Sequence, residues 1–347
     1  MKTTIKIYQI ALLVWLLMVS IAVAQEQHCD DCGISRAEIE AHPEPDVTAL
    51  RYDERVLHDR AYKQVIGRID IYDAPNGNIL RSLDAGFNFL TSINSVDGWT
   101  EVNQGEWVKT EHLRNSNGVI SYFTGVLLPE EPLPYTMAWL LVNLYPSKTP
   151  GGEPNEAEYP LTYRYTRVYI YDMVEIDGWR WYQIGVDKWV HQTQVAKVQP
   201  IERPEGVTTE RWIAIDLYEQ TLIAYDGDTP VFASLIATGL PRWPTREGIF
   251  NIYWRRLRED MSWGTPGDDF YYLEEVPWTM FFDEGRAIHG AYWHDGFGYR
   301  RSHGCVNLSI TDAKWLFEWV AEGMGSRASA DIEEGPNVYV YSSGEYQ

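Results

Sequence analysis

The stretch "RSHGCVNLS" at residues 301–309 carries one of three cysteines in a chain of 347 residues. His303 and Gly304 come just before Cys305, and Asn307 follows it. Four roles are open to such a cysteine: small buried hydrophobe, half of a disulfide, metal ligand or nucleophile. As a nucleophile it attacks as the thiolate, and a free thiol with a pKa of about 8.5 stays mostly protonated near neutrality unless a base or local dipoles help. Two histidines can be that base: His303 in the same turn, and His289 upstream in "AIHGAYW". A strand ending at His289, followed by a loop doubling back through Gly296 and Gly298, would face His289 to Cys305, the usual pairing of nucleophile and base from separate segments. Gly304 puts no side chain in the way of a substrate, and N–H groups around residues 303–305 can aim at a developing oxyanion. A metal set of His289, His294, His303 and Cys305 is chemically conceivable. It would tie up the thiolate, however, and no neighbouring carboxylate has the spacing of a ligand helix, so neither metal nor cofactor is expected.

The elements that must hold this turn read as mainly β. In "RWIAIDLYEQTLIAYDGDTPVFASLIATG" Ile213, Ile215 and Leu217 fall on one face and Trp212, Ala214 and Asp216 on the other, with Asp226-Gly227 as a hairpin signal. "PTREGIFNIYW" (244–254) leads into another strand, and "NVYVYSS" (337–343) is strand-like. One segment has a helical period: Ala313, Leu316, Phe317 and Val320, with Ser309 and Asp312 arranged as an N-terminal cap. Cys305 is thus predicted in a turn just ahead of a short helix.

The opening residues have the layout of a secretory signal peptide: Lys2 and Lys6, an apolar run from Ile10 to about Val23, and Ala22-Val23-Ala24 before Gln25. An uncleaved membrane anchor is the alternative; on either reading the rest of the chain is exported to the cell envelope or beyond. Residues 1–24 contain no acidic residue, so their removal takes the formal charge from -21 to -23. So acidic a body does not bind nucleic acid through its net field. Cys29 and Cys32 form a Cys-x-x-Cys in a polar segment, open to a local disulfide, an interchain bridge or half of a metal site.

Between these ends lies a repeat. "SVDGWTEVNQGEWVK" (95–109) has its echo in "EIDGWRWYQIGVDKWVH" (175–191), and Pro-rich "LPEEPLPY" (128–135) and "VQPIERPEGVTTE" (198–210) mark boundaries. The two copies resemble bacterial SH3-like domains. That resemblance puts Trp99, Trp107, Trp179 and Trp189 in two small barrel cores and implies binding of a cell-wall polymer or a peptide.

The turn carries a stronger resemblance. "IHG", then "SHGCVN", looks like the active-site signature of the L,D-transpeptidase (YkuD-type) catalytic domain. "IAIDLYEQTLIAYDGD", "ATGLPRWPTREGIFNI" and "VPWTMFF" resemble that family's supporting blocks in their usual order, over roughly residues 209–343, although its Thr-Pro-Thr-Gly run is altered here to "WPTREG". The implied fold is mainly β: two small SH3-like barrels, then a β-rich catalytic domain with a short helix after the nucleophile. The implied organisation is a signal peptide (1–24), a linker with the Cys-x-x-Cys (25–60), SH3-like domains at 61–116 and 117–200, and the catalytic domain at 205–343. The implied activity is acyl transfer between donor and acceptor stem peptides of peptidoglycan, forming 3→3 cross-links through a cysteine thioester, with L,D-carboxypeptidase action, wall-protein attachment or non-catalytic wall binding as alternatives. Cys305 would be the nucleophile and His289 its base. The Gly290 carbonyl would fix the imidazole tautomer, and amides at His303, Gly304 and Cys305 would hold the oxyanion. Ser302 and Asn307 would shape the loop and contact substrate. Trp293, in a loop with His294, Asp295 and Phe297, is either a substrate contact or part of a surface loop.

Overall fold

The computed structural model describes residues 34–115, 119–322 and 335–344, so the expected signal segment and Cys29 and Cys32 lie outside the described residues. By internal contacts the chain divides into two compact units, 1–41 and 42–347. The described part of the first holds a helix, Arg36–Ala41, and all else described here belongs to the second. The protein is mainly β.

Two seven-stranded sheets organise the C-terminal half. The first runs Thr48–Ala49, Val126–Leu127, Thr229–Leu235, Thr221–Asp226, Arg211–Asp216, Asn337–Tyr341 and Gly248–Asn251. Alternation along Arg211–Asp216 sends Ile213 and Ile215 into one core with Leu308, Leu316, Phe317 and Val320, and Trp212 and Ala214 into another with Phe123, Trp139 and Val198. This strand is therefore buried on both faces, the second being covered by the middle of the chain. Helix Ile310–Glu322 packs its Ala313, Leu316, Phe317 and Val320 stripe on the first of these cores. Its start is fixed by Ser309, whose Oγ accepts from the Asp312 N–H at 3.2 Å.

The second sheet runs Val306–Leu308, Arg286–Gly290, Tyr271–Asp283, Phe87–Ser92, Ala61–Val65 and Leu113–Asn115, with Trp254–Trp263 also paired to Tyr271–Asp283. Phe87–Ser92 joins in parallel, Tyr271 opposite Phe87 and Leu273 opposite Phe89. Segment 61–116 thus divides its strands between this sheet and a five-stranded one made of Ile79–Leu83, Ile69–Tyr72, Glu106–Lys109, Trp99–Asn103 and Asn94–Val96. Buried Glu274 links the two sheets: its carboxylate accepts from Thr91 N–H, from Thr91 Oγ1 at 2.8 Å and from Asn103 Nδ2 at 2.7 Å.

The internal repeat has a structural counterpart. In each copy an Asp-Gly pair with positive φ (Asp97 50° and Gly98 80°; Asp177 52° and Gly178 82°) turns into a hairpin. Each hairpin leads to a single 3-10 turn, Thr110–His112 or Gln192–Gln194, and then a short strand. Trp99 and Trp189 are buried and Trp107 is half-buried, but Trp179 is 38% exposed. The core placement expected for Trp179 is corrected by strand parity: Tyr182 and Ile184 point inward, so Trp179 and Trp181 share the outward face, where both rings lie against His191.

Replacing Glu274 by Ala strands the Thr91 and Asn103 donors in a buried site. The expected loss is about 2–4 kcal/mol in urea denaturation, with Glu274→Gln costing less because one acceptor oxygen remains.

Candidate active site

Cys305 sits in the turn that feeds strand Val306–Leu308, partly exposed. Gly304 adopts φ +113°, and a Cβ there would lie 2.8 Å from Arg286 Nε. Glycine is therefore required by both backbone conformation and the guanidinium packed beneath it. Ser302 closes the turn: its Oγ donates to the Cys305 carbonyl at 2.5 Å and accepts from the Gly304 N–H at 3.1 Å. Of the three amides expected at the oxyanion, that of Gly304 is thus engaged inside the turn.

Segment 237–245 clamps this loop. Ala237 and Asn307 exchange both backbone hydrogen bonds at 2.9 Å, the Ser302 N–H donates to Thr238 O at 3.0 Å, and the Leu240 N–H donates to Ser302 O at 2.9 Å. Thr245 Oγ1 accepts from the Gly239 N–H at 3.0 Å and donates to the Gly304 carbonyl at 2.9 Å. The "ATG", "PTREG" and "HGC" blocks are therefore joined by one hydroxyl.

Strand Arg286–Gly290 pairs in parallel with Val306–Leu308, placing His289 opposite Asn307. Side chains two apart share a face, so His289, Asn307 and Cys305 stand on one side of the sheet, and all three border a cavity of about 830 Å³. The His289 Nδ1 lies 3.2 Å from the Gly290 carbonyl oxygen. A carbonyl only accepts, so the ring's proton is on Nδ1 and the lone pair on Nε2. Burial pushes His289 down to about 4, against the Gly290 hydrogen bond that favours its charged form. Burial also pushes the Cys305 thiol up, opposed by a backbone hydrogen bond from Ala287 and by the Arg286 charge. At rest the two groups are a neutral thiol and a neutral imidazole, suited to moving the proton as the sulfur attacks.

The other expected residues divide. Trp293 borders the cavity with its ring 5.6 Å from that of His289. His303 also borders it, its ring tilted 33° against that of Trp243 with centroids 3.9 Å apart. Of the remaining loop residues, Phe297 is buried in the core and Asp295 pairs with Arg164. His294 is buried and turned to Asn307. Its Nδ1 accepts from the Gly296 N–H at 3.1 Å, so in the neutral ring Nε2 bears the proton. The Asn307 amide atom 2.9 Å from Nε2 is then the carbonyl oxygen, which also satisfies the one Asn307 acceptor otherwise left without a partner. Among the described residues, no three His, Cys, Asp or Glu side chains gather as metal ligands.

Sequence reasoning missed Arg286 and the cavity contribution of Gly86 and Phe87. Neither has a local motif: one acts from beneath a glycine, the others arrive through a distant strand pairing.

Residues 210–339 match the family model described as the L,D-transpeptidase catalytic domain, YkuD. YciB of Bacillus subtilis (strain 168) is 25% identical over 147 residues, covering 35% of this chain and 66% of that protein. The catalytic domain of an E. faecium L,D-transpeptidase, solved by NMR, is 24% identical with a TM-score of 0.32, covering 39% of this chain and all of that one. An L,D-transpeptidase from Mycobacterium smegmatis is 20% identical with a TM-score of 0.33, covering 47% of this chain and 67% of that one. Residues 210–339 are an L,D-transpeptidase catalytic domain, of a family whose enzymes are acyltransferases acting on the peptide stems of peptidoglycan.

The site chemistry fixes a pH dependence. Protonating His289 removes the Nε2 lone pair, so the rate of cysteine acylation should fall as pH drops through about 4, not through the ordinary 6.5. The stability from burying the neutral ring has the same sign: it is fully present above about 6.5 and is lost as pH falls towards 4. Acylation rates from pH 3.5 to 8, with near-ultraviolet circular dichroism as the check of folding, test this; an acid limb near 6.5 would mean a solvated imidazole.

Proposed function

We propose that this protein is a peptidoglycan L,D-transpeptidase that forms 3→3 cross-links through a thioester on Cys305. The observation that carries the reading is a buried His289, its Nδ1–H held by the Gly290 carbonyl, on the same cavity-lining sheet face as Cys305.

The sulfur attacks the carbonyl carbon joining the third, L-configured centre of a donor tetrapeptide stem to its terminal D-Ala. The thiol proton passes to His289 Nε2 while the S–C bond forms, and the amides of His303 and Cys305 receive the oxyanion. Collapse breaks the C–N bond, and His289 returns the proton to the departing D-Ala amine. An amine from a neighbouring stem then attacks the thioester and gives its proton to His289. The C–S bond breaks, and the thiolate regains that proton. One amide is exchanged for another, so no oxidant or external energy source is required. A thioester suits this exchange because it is intrinsically receptive to aminolysis.

The protein acts outside the cytoplasm, exported by residues 1–24 or anchored by them. The two repeats hold it on a wall polymer.

The test is mass spectrometry of the purified protein with a disaccharide-tetrapeptide. D-Ala release, an adduct on Cys305 and a cross-linked dimer are expected. Cys305→Ala should abolish the adduct while remaining folded, and His289→Asn should slow acylation by about 100- to 10,000-fold. Tripeptide without dimer would make the enzyme an L,D-carboxypeptidase. Absence of any adduct from folded protein, with stem type varied, would leave the wall-binding reading.

A further inference from the structure

We propose that Arg301 is a specificity-determining residue that recognises a carboxylate of the acyl-donor stem. The inference rests on the transpeptidase reading and names what the site selects.

The charged side chains around the cavity are unequal. Arg242 is committed to Asp268 at 3.0 Å, with Asp269 4.0 Å away, and Asp269 also accepts from the Thr265 N–H at 2.8 Å. Arg300 reaches back to the Leu217 carbonyl at 3.4 Å. Arg301 borders the same cavity, four residues before the nucleophile, is exposed, and has no acidic partner among the described residues.

Its side chain nonetheless has a seat. A Cβ built on Gly296 would lie 2.1 Å from Arg301 Nε, 2.5 Å from Cζ and 2.6 Å from Nη2, so the guanidinium occupies the space that a side chain at 296 would take, and any other residue there would displace it. The backbone beneath is pinned as well, the Arg301 N–H donating to Thr238 O at 2.8 Å. Burial holds His294 neutral in the cavity wall, and the nearby Arg301 charge adds to that.

A pre-seated, unpaired guanidinium is complementary to a carboxylate, which it can bind through two parallel N–H donors. The need for it follows from net charge: a chain at -21 repels an anionic peptide, and a local cation at the cavity reverses that field where binding occurs. The terminal D-Ala carboxylate and the carboxylates farther up the stem share this chemistry, and amidation separates them.

The experiment compares three donors on the full-length protein: the tetrapeptide, its C-terminal carboxamide, and a donor amidated at the inner carboxylate. KM and kcat for acylation are measured for wild type, Arg301→Gln, Arg301→Lys and Gly296→Ala. In wild type, amidating the recognised carboxylate should raise KM about tenfold, and Arg301→Gln should raise KM for the parent tetrapeptide by a similar factor with little change in kcat. The two losses should not add, because both remove one contact. Arg301→Lys should restore part of the affinity, and Gly296→Ala, folded but with the guanidinium unseated, should imitate Arg301→Gln. Equal KM effects of Arg301→Gln on all three donors, or none, would overturn the proposal. Calorimetric titration of Cys305→Ala, with and without Arg301→Gln, reads the same carboxylate preference without chemistry. A wild type that binds the tetrapeptide with that preference but forms no adduct would overturn the transpeptidase reading alone.

Discussion

The catalytic arrangement depends on a three-residue parallel ladder, Ile288 to Val306, His289 to Asn307 and Gly290 to Leu308. Parallel neighbours cannot be joined by a tight turn, so the chain between them must loop out and return. Here the returning loop is the one that carries Cys305. Because side chains alternate, a one-residue slip would send His289 into the core and bring Ile288 to the cavity. The ladder is too short to secure its register alone. Backbone bonds from Ala237, Thr238 and Leu240 and the Thr245 hydroxyl hold the loop from the adjoining segment, and Gly304 permits the turn over Arg286. Placing Cys305 thus draws on three separate stretches of sequence.

The burial that fixes this geometry also sets its electrostatics. Desolvation disfavours the charged form of an acid and of a base alike, so the thiol moves up and the imidazole down. Cys305 and His289 thus rest as two neutral groups, and the hydrogen bond to Gly290 fixes the His289 tautomer without burying a second charge. On the proposed reaction, thiolate and imidazolium would arise together only during attack, where backbone N–H groups can stabilise the charge that passes to the substrate oxygen.

Much of this was legible in the sequence because the relevant residues have few other uses. A Gly-Cys preceded by a histidine and followed by Asn, with a distant His-Gly, restricts the chemistry sharply, and the 3.6-residue period after Ser309 marks the helix that seats the ladder. Strand alternation around Ile213 and Ile215 gave one buried face, but not the second, because that face is covered by the middle segment, far away in sequence. Trp179 was misplaced for a related reason: matching Asp-Gly-Trp motifs align the turns of the two repeats but do not carry the parity of the strands that follow. The roles of Arg286 and Thr245 depend on what lies beneath or beside a backbone, which spacing does not encode.

The cavity's dependence on the N-terminal half follows from the same sheet. Tyr271–Asp283 would otherwise present an unpaired edge near the site, and Phe87–Ser92 occupies it in parallel. Such close pairing requires Gly86, since a Cβ there would lie 2.3 Å from the Phe270 carbonyl oxygen. The next residue, Phe87, then becomes part of the wall of the cavity that Cys305 also borders. Glu274 draws the adjoining small sheet to the same strand through Thr91 and Asn103. A segment that by sequence reads as a separate module therefore also completes a wall of the cavity that Cys305 and His289 border, so movement of that segment would change the cavity's shape.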